Sequence, residues 1–421
     1  MKDLLLILAP PIWVNTPPLN LAYLKTYLNS KGINVDSLDL NLKVYRQLKL
    51  KPRNWLKIDL KFEKDLFSIT RKHLPKIIPQ VLEEIKNYRF IGLSLFKRNY
   101  AFSLNLIKKI KKYYPSKKII VGGPEITNLG FDPTATFDFQ IIGEGEKALE
   151  QIVNGSKKKT FKYLELDNLD RLDFLNFDDF PLPEYKNNLG LIASRGCISS
   201  CLFCSERNLY KNFRYHSPEY ISDQIQFLKK KYQANTFTFQ DSLINFNIPW
   251  LENLVKLFIK RKLNIKWQAQ MLIRKGMDKN LLSLIKKSGC FNLFIGLESA
   301  CDKVLKSMNK PFTKNLAQKM FTDLNEAKLF FEISLICGWP QETHQDFKET
   351  LSFIKENKNI IPKIAQINHF TPYPGSIIFN DQRSKQLDLK TLKQRVNLTI
   401  KMIKNNRIRH TENFINNLYE N

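Results

Sequence analysis

The chain is predicted to be an α/β protein: an N-terminal doubly wound domain, a partial (β/α)6 barrel, and a short helical tail. Three observations predict this. Apolar runs alternate with helical patterns over residues 1–150. The rhythm stops over 151–188 and resumes from Leu189 with six further strand signals. The length of 421 residues suits two or three domains, and 43% hydrophobic residues supply a large core. Strands that alternate with helices form parallel sheets with helices on their faces.

Each element has its own signal. Leu4-Leu5-Leu6-Ile7-Leu8 is a continuous apolar run, the pattern of a strand buried on both faces. Pro17 and Pro18 precede a helical pattern over 19–28, and Gly32 ends it. Residues 33–40 read as a second strand, and a polar insertion follows with a helical pattern over 67–88. Strand 90–96, helix 103–113 and strand 118–121 come next, closed by Gly122-Gly123-Pro124. A fifth strand, 137–142, leads into Gly143-Glu144-Gly145-Glu146. Sheets of this kind bind ligands at the carboxyl ends of their strands. Lys157-Lys158-Lys159, a run of Asp and Asn, and Pro181 and Pro183 mark 151–188 as a linker. In the second domain, strand signals lie at 190–194, 236–239, 265–270, 291–296, 331–336 and 364–370. Helical patterns such as 218–232 and 250–261 separate them. Six units over 189–385 fall short of the eight in a full barrel. The tail, 386–421, is basic and helical in pattern.

Lys and Arg number 67 against 40 Asp and Glu, a formal net charge of +27. Such residues neutralise phosphates. Here they are spread along the whole chain with no base-reading module beside them, so nucleic acid is not the expected partner. The charge is read as surface bias that helps an acidic substrate or electron donor to dock. The longest apolar stretch, 4–14, contains Pro10 and Pro11 and is far shorter than the ~20 residues of a membrane-spanning helix. No membrane span is expected, and Met1-Lys2-Asp3 does not open a convincing signal peptide. A cytoplasmic protein with reduced thiols is expected.

None of the six cysteines precedes Cys197. Cys197, Cys201 and Cys204 fall within eight residues, spaced C-x3-C-x2-C, directly after the first strand of the second domain. Iron–sulfur clusters are held by cysteine thiolates, normally four. Three thiolates leave one iron open, and an open position is what a catalytic metal site needs. A structural zinc site is the alternative. It favours a second C-x2-C pair or His ligands, and here the nearest downstream histidine is His216. Cys290, Cys301 and Cys337 read as small buried core residues.

In this setting the C-x3-C-x-aromatic-C motif resembles that of the radical S-adenosylmethionine (SAM) superfamily. The resemblance implies that Cys197, Cys201 and Cys204 bind a [4Fe-4S] cluster whose fourth iron is chelated by SAM. It implies reductive cleavage of SAM to methionine and a 5′-deoxyadenosyl radical, with a flavodoxin- or ferredoxin-type one-electron donor as partner. It also implies SAM contacts at Phe203, at Gln240 and Asp241 after the second strand, and at Arg274 after the third. Glu298 and Ser299 match the fourth-strand motif, and Ile336 and Gly338 the fifth. Capping roles for Asp241 and Glu298, and a solvated Arg274, stay open. Gln341 stands where relatives more often carry Gly.

A doubly wound domain ahead of such a barrel resembles the cobalamin-binding class of that superfamily. The resemblance implies that a flat corrinoid rests on the strand ends. The positions are Pro10; Asp39 and Asn41; Ser94, Leu95 and Phe96; Gly122, Gly123, Pro124 and Glu125; and Gly143, Glu144 and Gly145. Other cobalamin proteins use Asp-x-His-x-x-Gly, whose His ligates cobalt. Here Asp39-Leu40-Asn41-Leu42-Lys43-Val44 has neither His nor Gly. The class also includes members whose cobalt lacks a protein lower ligand. The resemblance implies cobalamin-dependent methyl transfer to an unactivated carbon of a small-molecule or peptide substrate. Oxidation or cyclisation without methyl transfer is the alternative. An RNA-modifying methylthiotransferase would need three further cluster cysteines in the first domain, and residues 1–196 contain none.

Overall fold

The computed structural model describes residues 2–49, 55, 60–130, 137–381 and 387–411. They form two compact units. The first runs to Gly190 and takes in Asn208–Arg214 and Lys230–Ala234. The second comprises Leu191–Arg207, Tyr215–Lys229 and the chain from Asn235 onward.

In the first unit the elements are β1 (Lys2–Leu8), α1 (Leu19–Ser30), β2 (Val35–Asp39), α2 (Leu40–Leu48), α3 (Leu60–His73), α4 (Ile77–Ile85), β3 (Tyr88–Ser94), α5 (Tyr100–Tyr113), β4 (Lys118–Gly122), α6 (Pro124–Leu129), β5 (Phe139–Ile142), α7 (Glu146–Val153) and β6 (Thr160–Lys162). The sheet order is β2-β1-β3-β4-β5-β6. Its ladders are parallel, with Leu6 opposite both Ser37 and Gly92. This is a flavodoxin-like order, and its switch point lies between β1 and β3. Leu4, Leu5 and Ile7 have no exposed surface, as a strand covered on both faces requires.

Two expectations are corrected here. The pattern over 67–88 is two helices, α3 and α4. Pro75 disfavours helical backbone at the residue before it, so the first helix stops at His73. The stretch 151–188 is no linker. β6 pairs with β5, and Leu166, Leu169, Leu172 and Leu175 are buried. Those leucines recur at every third residue, hidden among Asp and Asn. Asn176 N–H donates to Thr26 Oγ1 (2.9 Å) and Ser37 N–H to Asp179 Oδ2 (2.6 Å), which sews the stretch onto α1 and β2.

In the second unit the elements are β7 (Asn188–Leu191), α8 (Pro218–Tyr232), β8 (Thr236–Phe239), α9 (Ile248–Lys260), β9 (Lys266–Met271), α10 (Lys279–Lys287), β10 (Cys290–Glu298), α11 (Asp302–Ser307), α12 (Lys314–Glu326), β11 (Phe331–Cys337), α13 (His344–Glu356), β12 (Lys363–His369), α14 (Leu389–Asn405) and β13 (Arg409–His410). The open sheet runs β13-β12-β11-β10-β9-β8-β7. The six expected strands are present within a few residues. The tail is helical over α14 but then adds β13 to the free edge of β12, Lys363 opposite Arg409. Two residues are too few to show a period in the sequence. The rest of the expected tail, 412–421, lies outside the described residues. No helix among the described residues is long and apolar enough to cross a membrane.

Candidate functional site

The cysteine loop follows β7, and the neighbouring strands hold it from several sides. Gln240 N–H donates to Leu191 O (2.8 Å), while its side chain lies exposed at the end of β8. Asp241 is buried. Its Oδ1 accepts from the N–H of Ala193 (3.0 Å) and Ser194 (2.5 Å) and from Ser194 Oγ (2.7 Å). Burial pushes its pKa up to about 6. Both carboxylate oxygens bond to the run-in to the loop, since Oδ2 also takes Ala193 N–H (3.0 Å). Asp241 thus positions the loop by holding Ala193 and Ser194, and not by capping the turn after β8.

Beyond it, the three thiols are half-buried and free. Ser199 N–H lies 3.4 Å from Cys197 Sγ, and Cys204 N–H donates to Cys201 O (3.2 Å). Burial raises all three thiol pKa values, Cys204 to about 12, so these thiols keep their protons until a metal displaces them. Among the described residues no trio of His, Cys, Asp or Glu is gathered as a single metal ion needs. A four-iron cube carries its irons at separate corners, and three thiols on one wrapped loop suit it.

The chain after α11 braces this loop. Leu202 N–H donates to Met308 O (3.0 Å), and Asn309 Nδ2 donates to Ser200 O (2.9 Å) and Oγ (2.7 Å). On the far side Ile378 N–H donates to Leu202 O (3.0 Å). Phe203, Ile336 and Leu202 pack on an apolar cluster with Trp339 and Phe370. The Phe203 and Trp339 rings meet edge-on at 6.1 Å, and Trp339 and Phe370 at 4.8 Å. This wall beside the last cysteine suits an adenine ring.

Glu298 sits where β10 slips register against β11, with φ +63°. A bulge of this kind re-aims a side chain. Its Oε2 accepts from Ser334 Oγ (3.0 Å) and its Oε1 from Lys310 Nζ (3.2 Å). Lys310 carried no signal in the sequence. Its neighbour Asn309 was likewise missed, since nothing in their spacing tells that they touch a loop a hundred residues away.

Gly338 has φ +78°, and a β-carbon there would lie 2.1 Å from Leu392 of α14. The glycine therefore admits the tail helix. Arg395 of α14 pairs with the buried Glu342 and donates to Glu342 O (2.9 Å). Two other expected SAM contacts are engaged elsewhere. Arg274 Nη1 donates to Asn245 O and Phe246 O, both at 2.7 Å, tying down the loop after β8. Ser299 Oγ is fully buried against Thr350 Oγ1 (3.0 Å). Cys290, Cys301 and Cys337 are buried, as expected.

In the first unit, Pro10, Ser94, Leu95 and Phe96 lie at the carboxyl ends of β1 and β3, the switch point. Asn99, absent from the expected set, joins them. Its Nδ2 donates to Ala9 O (3.1 Å) and Ser94 O (3.0 Å), and its Oδ1 accepts Phe96 N–H (2.8 Å). Asn41 Oδ1 accepts Ile12 N–H (2.7 Å), and Trp55 Nε1 donates to Ile12 O (3.0 Å). The loop after β1 is thus held by Asn41 of α2, by Asn99 just before α5 and by Trp55. Gly123 has φ +98°, and a β-carbon there would lie 2.7 Å from Leu95 O. Gly122, Pro124 and Glu125 share this turn, where Glu125 N–H donates to Leu95 O (3.0 Å). Gly143 and Gly145 flank the end of β5. Glycine-lined strand ends at a switch point fit a large flat ligand.

Two of the expected contacts have protein partners instead. Asp39 caps α2 by accepting Leu42 N–H (2.8 Å) and also accepts the Tyr185 hydroxyl. Glu144 accepts from Arg214 Nη1 (3.1 Å) and Leu166 N–H (3.0 Å). The sequence could not show this, because Tyr185, Arg214 and Leu166 lie in the stretches read as a linker or beyond it.

Comparison with known proteins agrees with this geometry. The family model described as the radical SAM superfamily matches residues 191–354, and that of the B12-binding domain matches residues 12–153. The chain is 25% identical over 390 residues to an uncharacterised methyltransferase of Pyrococcus horikoshii, covering 86% of this chain and 77% of that protein. It is 25% identical over 284 residues to the bacteriochlorophyllide d C-12(1)-methyltransferase of Chlorobaculum tepidum, covering 64% of this chain and 60% of that enzyme. Among solved structures it resembles the radical SAM methyltransferase TsrM of Kitasatospora setae, which has cobalamin and a [4Fe-4S] cluster bound. The TM-score is 0.68 at 13% identity, covering 90% of this chain and 77% of that one. At that identity the likeness is one of fold.

Proposed function

The chain belongs to the radical SAM superfamily, in the class that carries a B12-binding domain, and on that premise we propose that it transfers a methyl group to an unactivated carbon of a small molecule or peptide. The observation that carries this reading is three free thiols on one braced loop in a chain whose other unit has glycine-lined strand ends at a sheet switch point. When bound, the reduced cluster supplies the electron that cleaves SAM to a 5′-deoxyadenosyl radical, and cobalamin supplies the transferable methyl group.

The protein's own part is binding, orientation and exclusion of water. Cys197, Cys201 and Cys204 would hold the cluster. Phe203 and Ile336 offer an apolar wall for the adenine, backed by the buried Trp339. Asp241 and Asn309 hold the cysteine loop in place, so that little motion is needed when the electron arrives. Pro10, Ser94, Leu95 and Gly123 would carry the corrinoid, with Asn99 and Asn41 fixing the loops beneath it. A flavodoxin- or ferredoxin-type donor would deliver the electron, and reduced thiols suit a cytoplasmic setting.

The test is anaerobic reconstitution of the full chain, followed by absorption spectra with and without hydroxocobalamin. Both iron–sulfur and corrinoid bands are expected. A chain that takes up the cluster, cleaves SAM and binds no corrinoid would overturn the methyl-transfer reading.

A further inference from the structure

Beneath the cysteine loop lies an ion pair with almost no access to solvent. The side chains of Lys310 and Glu298 are 6% and 10% exposed. Lys310 Nζ donates to Glu298 Oε1 (3.2 Å) and to Gly296 O (3.1 Å). The same ammonium lies 5.4 Å from the centre of the Phe203 ring, next in sequence to Cys204. The two residues before Lys310 bond to Ser200 and Leu202 of the loop. The pair is therefore fixed against the loop by backbone, ring and carboxylate together.

Burying two charges is costly, and a packed apolar pair would often be at least as stable. A buried pair beside a redox group has a second effect. Reduction adds an electron, which a nearby cation favours and a nearby anion opposes, and burial keeps both effects strong.

We propose that Lys310 and Glu298 set the reduction potential of the [4Fe-4S] cluster, Lys310 raising it and Glu298 lowering it. The inference rests on the cluster reading above and deepens it. Lys310 acts as a positioning and charge-setting residue.

The experiment measures the midpoint potential of the reconstituted, SAM-free full chain by titration with titanium(III) citrate, read by electron paramagnetic resonance. Lys310→Met is expected to lower the potential and Glu298→Gln to raise it. Lys310→Arg is expected to keep the wild-type value, and the double variant Lys310→Met/Glu298→Gln to return toward it. A purely structural role would lower the iron content of both single variants without opposite shifts. Shifts of the same sign, or unchanged potentials at full iron content, overturn the proposal. If Lys310→Met takes up no cluster, Glu298→Gln decides alone: a rise supports the proposal, and no rise overturns it. A wild-type chain that takes up no cluster overturns the cluster reading itself, and the inference with it.

Discussion

At the cysteine loop the three ligands come from eight consecutive residues, and the rest of the barrel reaches in to hold them. At the β1/β3 switch point the lining comes from loops more than eighty residues apart, and neutral amides hold it. The first region is rich in buried charge: Asp241, Glu298 and Lys310. The second is held by Asn41, Asn99 and Trp55, all without exposed surface. The difference follows the ligand expected at each. A cluster needs covalent ligands at fixed corners and a tuned field. A flat corrinoid needs a smooth platform and loops that do not move.

The contrast is broken most sharply at the loop. Cys201→Ala is expected to abolish the iron–sulfur absorption and all SAM cleavage while leaving hydroxocobalamin binding intact. Persistent SAM cleavage in that variant would remove the cluster assignment. The next effect belongs to the switch point. Asn99→Ala strands Phe96 N–H and the carbonyls of Ala9 and Ser94 at a buried site, which costs about 2–3 kcal/mol. A melting experiment should show the loss, with weaker corrinoid uptake and unchanged iron content. An unchanged melting point would mean that the loops after β1 and β3 are held by something else.

A third effect is the pH dependence of the first unit. Burial raises the Asp39 pKa from 3.8 to about 6. Between those values the folded chain holds a proton that the unfolded chain has lost, so this residue's contribution falls as pH rises through the window. The change is of order 1–3 kcal/mol, and Asp39→Asn should flatten that part of the curve in denaturant titrations from pH 4 to 7. A slope unaltered in the variant would assign it to another group. The smallest effect is at Gln341, which holds φ +69°. Gln341→Gly should stabilise the chain by about 0.5–1 kcal/mol through relief of left-handed strain. A loss of stability would show that the glutamine side chain outweighs that strain.

Much of this was legible in the residues. The C-x3-C-x2-C spacing is local, so the candidate ligand set is readable without any fold. The apolar run 4–8 announced a buried parallel strand and 331–336 carried a strand signal, and the structure has both strands. The stretch 151–188 was misread because composition hid its period: four leucines at every third position sit among acidic and amide residues. Gly338 is an expected SAM contact. Its tightest neighbour is Leu392, fifty-four residues later, and no local pattern reports such an approach.

The sequence by itself determined the two parallel sheets, the family and the grouping of three candidate cluster thiols, because each is a local pattern of hydrophobicity or spacing. Tertiary structure alone decided which polar groups are already paired. Asp241 belongs to the loop backbone, Asp39 to Tyr185 and Glu144 to Arg214. It also decided that Lys310 and Glu298 meet under the cysteines. A buried polar group must find its partner wherever the fold provides one, and that place has no fixed distance along the chain.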